Sequence, residues 1–70
     1  MDFSTRLKQI ISNQGLSIRA FEEKIGCSVG VINRCISKKT DVTSSVVIKI
    51  ISTCRDINPD WLLIGEGDMM

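Results

Sequence analysis

Apolar residues recur along this chain at helical spacing in short blocks, each bounded by a residue type that starts or stops a helix. Phe3, Leu7, Ile10 and Ile11 form the first stripe, with Asp2 or Ser4 as N-cap and Gly15 as the stop. Ser17 caps the second segment, where Phe21 and Ile25 share a face, and Ser28 caps the third, where Ile32, Cys35 and Ile36 turn inward. The stretch from Thr43 to Cys54 is ambiguous, because β-branched Val46, Val47, Ile48, Ile50 and Ile51 suit a strand on propensity alone. Even so, Val47, Ile50, Ile51 and Cys54 make one helical stripe that Thr43 or Ser44 can cap, and no partner strand is visible elsewhere. Asn58-Pro59-Asp60 is a compact start for a last helix, with Asn as cap, Pro at the first helical position and an acid near the positive end of the dipole. Trp61, Leu62, Leu63 and Ile64 follow, and Gly65 ends it. The pattern predicts an all-α chain of five helices without repeats, linkers or low-complexity segments.

The second and third segments are separated by very little chain. Residues 18–37, IRAFEEKIGCSVGVINRCIS, place Phe21, Ile25, Cys27, Ile32 and Cys35 where two helices crossing at a steep angle bury side chains against each other. Gly26 falls where the chain must reverse, and only a residue without Cβ takes a left-handed, helix-ending conformation at no steric cost. This is the sequence form of a helix-turn-helix, whose second helix lies in a DNA major groove.

Composition narrows the chemistry. Seventy residues bury roughly 60% of their unfolded surface, enough for a thin core but not for a pocketed enzyme. Histidine is absent, which removes the usual general base and the commonest nitrogen metal ligand. Cys27, Cys35 and Cys54 are an odd number with no CxxC pair, and read as reduced, small hydrophobes of a cytoplasmic protein. The longest apolar run, residues 46–51, is broken by Lys49 and is too short to span a bilayer. No signal peptide is apparent, because the first apolar stripe carries Arg6, Lys8 and Gln9. The GEG at residues 65–67 lacks the strand and helix that a phosphate loop requires, so no cofactor and no metal is expected. The net charge is only +1, yet residues 1–40 carry seven Lys/Arg against three acids and residues 41–70 carry two against five. Such a dipolar molecule can turn a basic face to a duplex while its acidic end points away.

On these features, the chain resembles the Cro and lambda-repressor-like (XRE-type) helix-turn-helix DNA-binding domains of bacterial and phage regulators. The likeness covers residues 3–70 and rests on the 18–37 window, the basic turn Ser37-Lys38-Lys39-Thr40, and the closing run INPDWLLIGEGDMM. It implies a transcriptional regulator, foremost a repressor, whose third helix enters the major groove and which binds a two-fold related operator as a homodimer. Relatives often carry glutamine at the first position of helix two and the second of the helix-three segment, where this chain has Ile18 and Val29. The small residue usual in mid helix two is replaced by Glu22, which calls for a local shift taking the carboxylate either to solvent or to a cap.

The outer face of the third segment carries Val29, Gly30, Asn33, Arg34 and Ser37, the base-facing candidates. Arg34 can pair bidentately with guanine, Asn33 with adenine, and Val29 can pack on a thymine methyl. Ser17, Arg19, Ser28, Lys38, Lys39 and Thr40 are candidates for phosphate contact, from hydroxyls, helix N-termini and cations. Trp61 reads as a core lid rather than a stacking platform, and Leu63 or Ile64 with Met69 and Met70 as a dimer contact or a junction to a further domain. Residues 1–70 thus read as one DNA-binding domain. Two other readings stay open: a protein-interaction module using Val29 and Val31, and the DNA-targeting part of a longer switch protein.

Overall fold

Three helices of this chain begin where the side chain just ahead of them takes up one of their first N–H groups. In the computed structural model, which describes residues 2–70, α1 spans Phe3–Asn13 and is capped by Asp2, whose carboxylate accepts from the Thr5 N–H and the Ser4 hydroxyl, each at 2.9 Å. Ser17 caps α2 (Ile18–Ile25) by accepting from the Ala20 N–H at 3.1 Å. Asn58 caps α5 (Pro59–Ile64) through the Asp60 N–H at 3.0 Å, with Pro59 in the first turn. Each such cap contributes about 1 kcal/mol. Before α4 (Ser44–Thr53), Thr43 occupies the cap position without a capping bond, its hydroxyl lying 3.1 Å from that of Ser45. α3 (Val31–Lys38) starts later than its pattern suggests: Ser28 does not cap it, and the N-cap residue is Gly30. The five helices and the absence of strands among the described residues agree with the predicted class.

The buried faces meet in one cluster. Leu7, Ile10, Phe21, Ile32, Ile50 and Leu62 have no exposed surface, and burying each such side chain is worth about 1.5–3 kcal/mol. α1 packs on α3 and α5, while α2 packs on α3 and α4. The inward stripe of α4 is rotated from the expected one: Val46, Ile50 and Cys54 are buried, whereas Val47 and Ile51 are half-buried at its flank. The ridge that meets α2 runs along i, i+4, i+8, a choice the neighbouring helix makes and periodicity alone does not. Ile36 is likewise half-buried, since the last turn of α3 borders an open groove with Ser4, Thr5 and Lys8 of α1. Trp61 covers the edge of the core half-buried, and it is Leu62 that inserts.

The two ends of the chain are tied through Arg6. Only 8% exposed, its guanidinium donates from Nε to the Leu62 carbonyl at 2.9 Å and from Nη2 to the Leu63 carbonyl at 3.4 Å. A cation there also opposes the negative end of the α5 dipole. The tail folds back on the start of α5, where the Asn58 N–H donates to the Met69 carbonyl at 2.8 Å. Among the described residues no helix is long and apolar enough to cross a membrane.

Hydrogen bonds from Thr5, through its side chain and then its N–H, followed by that from Ser4, with a smaller pull from Lys39, hold the Asp2 carboxyl down from 3.8 to about 2. Because the folded value is the depressed one, the cap's ionic contribution is complete above the unfolded value and is lost as pH falls through the folded one. The advantage in Tm of the parent over Asp2→Asn, full above about pH 4, is therefore expected to close as pH falls to about 2. Arg6→Met keeps the apolar stem but removes the donors to α5. At about 1.5–3 kcal/mol for hydrogen bonds to a charged group, Tm should drop by on the order of 10 °C in a thermal melt. A melt within about 2 °C of the parent would show that α5 holds without this tie.

Candidate nucleic-acid interface

The turn between α2 and α3 is built from the backbone outward. Gly26 takes the left-handed conformation (φ 78°) that ends α2, with its N–H on the Glu22 carbonyl at 3.0 Å. Lys49 of α4 donates to the Gly26 carbonyl at 3.3 Å, so the turn is held from below as well. Phe21, Ile25, Ile32 and Cys35 close the seam between the two helices, and Cys27 lies half-buried at its rim. Burial, and then the negative charges of Asp41 and Asp2, pushes the Cys35 thiol up, which keeps it a neutral packing group. Burial followed by the Glu22 charge does the same at Cys27. All three thiols are free, and among the described residues no cluster of His, Cys, Asp or Glu could hold a metal ion.

The start of α3 is capped by a residue of α2. Glu22 is 2% exposed, and its carboxylate accepts from the N–H groups of Gly30 at 3.1 Å, Ile32 at 2.9 Å and Asn33 at 3.2 Å. Of the two fates open to it, solvent or a cap, the cap is the one realised. Gly30 makes this possible, because its φ of 89° turns the successive N–H groups onto one point, and a side chain at that φ is strained even though the space beside it is empty. The N–H of Gly30 therefore faces inward, and the anion site of α3 is already filled. Ser28 is exposed in the turn ahead of the helix, away from the cap position expected of it.

Around this lock lie the remaining candidates. Val29 is 66% exposed in the turn that precedes α3, and Asn33, Arg34 and Ser37 are exposed along the helix. Val29, Gly30 and Asn33 share a groove of about 280 Å³ with Ile18, Arg19 and Glu22. Ile18 and Val29, the two positions where the resemblance leads one to expect glutamine, thus meet in one place and are apolar together. Ser17 and Arg19 are exposed at the start of α2, where Arg19 lies 3.6 Å from Glu23 in a surface pair worth under about 1 kcal/mol. Lys38, the last residue of α3, and Lys39 and Thr40 beyond it are exposed, and Lys39 closes the helix in a left-handed conformation (φ 54°). The positive half of the chain is divided by the fold: Arg6 is turned inward and Lys24 bonds Gln14 at 3.0 Å, while Arg34, Lys38 and Lys39 stand outward on and just after α3.

Sequence reasoning left Glu22 open between solvent and a cap, and it missed Arg6 as the tie to α5. For Glu22 a signal existed, since an acid on the Phe21–Ile25 side of α2 coincides with a glycine, and no capping side chain, directly before α3. For Arg6 there was none, because its partners are carbonyls 56 and 57 residues away.

A family model described as helix-turn-helix matches residues 7–62. The chain belongs to this XRE/lambda-repressor-like family, whose domain binds DNA and carries no enzymatic activity. Neither the comparison with individual curated proteins nor that with solved structures returned a match.

Proposed function

We propose that this protein is a sequence-specific, double-stranded DNA-binding regulator that represses transcription by occupying its operator, with α3 in the major groove. The observation that carries this reading is the outward row of Val29, Asn33, Arg34 and Ser37, followed at once by Lys38, Lys39 and Thr40, on a scaffold of a DNA-binding family. Arg34 pairs with guanine and Asn33 with adenine, while Ile18 and Val29 form an apolar floor that suits a thymine methyl. Ser17, Arg19 and Ser28 approach the backbone on one side and the 38–40 turn on the other, with Arg19 exchanging Glu23 for phosphate. Gly30 contributes its backbone conformation. A homodimer on a two-fold operator is supported by the apolar surface of Leu63, Ile64 and Met70, which are 44%, 63% and 56% exposed. The free thiols suit a cytoplasmic setting.

Gel-shift titration of the parent with mixed duplex should give a complex that weakens steeply with salt; none at low salt would favour a protein partner instead. Replacing Lys38 and Lys39 with Ala should weaken all duplexes alike and lower the slope of log affinity against log salt by roughly 2, about one unit per phosphate contact. An unchanged slope would place the pair away from DNA. On a half-site selected from a random pool, replacing thymine by uracil should weaken the parent while leaving Val29→Ala indifferent. Equal affinity of the parent for both duplexes would remove the methyl contact.

A further inference from the structure

We infer that Glu22 is a specificity-determining positioning residue: by filling the anion site at the start of α3 with its own carboxylate, it bars phosphate from that spot and leaves the Ile18–Val29 groove to an uncharged base edge. The inference rests on the DNA-binding reading above and deepens it. A free helix N-terminus attracts anions of any source, and in a DNA-binding protein the nearest anion is a backbone phosphate, which carries no sequence information. Here the N–H groups of Gly30, Ile32 and Asn33 are consumed at 2.9–3.2 Å by a side chain that is 2% exposed. The carboxylate also borders the groove lined by Ile18, Arg19, Val29 and Asn33, so its negative charge lies directly beneath the surface that meets the duplex. A phosphate entering that groove meets like charge, whereas a thymine methyl meets two aliphatic side chains. Phosphate binding is left to Ser17, Arg19 and Ser28 at one end and to Lys38, Lys39 and Thr40 at the other.

The lock also sets where the readers stand. Gly30 at φ 89° gives the chain a sharp turn that throws Val29 outward, and the bonds to Ile32 and Asn33 fix the first turn of the helix from which Asn33 projects. Glu22 touches no base in this scheme. It acts through the backbone it holds and through the charge it places under the groove.

The test uses Glu22→Gln, which keeps volume and one acceptor oxygen but loses the charge and turns an amide NH₂ toward one of the three N–H groups, with Glu22→Ala as the harsher companion. Affinities for a selected duplex and for its scrambled counterpart are measured over a range of salt, and amide hydrogen exchange is followed at Gly30, Ile32 and Asn33. The expected result is faster exchange confined to these residues, with selected-duplex binding weakened and scrambled-duplex binding held or tightened, so that their ratio falls roughly tenfold, the scale of one good base contact. Should the start of α3 become open to phosphate, the salt slope of scrambled binding steepens by about one unit. A merely structural role would lower both affinities together and leave the ratio unchanged, which overturns the inference, as does a Gln variant with the parent's ratio. If Glu22→Ala does not fold, the Gln variant decides alone. A parent that forms no salt-sensitive complex with any duplex sinks the DNA-binding reading itself, and that outcome is distinct because it appears before any variant is made.

Discussion

A carboxylate taken out of water is tolerated only where donors replace the water, and the hinge between α2 and α3 is organised around that requirement. Glu22 is buried because it sits on the face of α2 that packs against α3, and it is satisfied because α3 begins there with its N–H groups unused. Each solves the other's problem. Without the carboxylate the first N–H groups of α3, of which that of Ile32 is buried, would lose their acceptor; without the helix start the carboxylate would be a buried charge with nothing to hold it. Gly30 is the third part, since a residue with a Cβ would resist the backbone conformation that aims the N–H groups.

The same solution appears in the opposite sense at the far side of the molecule. Arg6 presents its guanidinium to the carbonyls of Leu62 and Leu63, so the C-terminal end of α5 receives a cation as the N-terminal end of α3 receives an anion. In a chain of 70 residues the apolar core is thin, and two buried charges locked onto helix termini add polar ties between elements that also pack through that core. Removing either leaves the complementary backbone groups unsatisfied, which costs more than the bond itself contributed. The tail of residues 65–70 joins this arrangement through Asn58, which caps α5 with its side chain and binds Met69 with its N–H.

These internal ties shape the outer surface. Of the basic residues in the first half of the chain, one is spent on holding the fold, and those around α3 face outward. Ile18 at the start of α2 and Val29 in the turn before α3 line one groove. Together they make this part of the surface aliphatic, on a scaffold of five helices that belongs to the family.

Local chemistry was sufficient for the number of helices, for the caps at Asp2, Ser17 and Asn58, for the stops at Gly15, Gly26 and Gly65, and for most of the buried stripe, because each depends on residues within a turn or two of one another. The positions of Val29, Asn33, Arg34, Ser37 and the 38–40 turn on the outside also follow from the wheel of α3 and what precedes and follows it. What required the tertiary structure was every property shared between helices. The rotation of α4 onto Val46 is chosen by α2, the late start of α3 at Val31 is chosen by Glu22 rather than Ser28, and the place of Arg6 is chosen by α5. A capping pattern within one segment cannot register a donor or acceptor that arrives from another, and a buried charge finds its partner only once the fold has brought the two together.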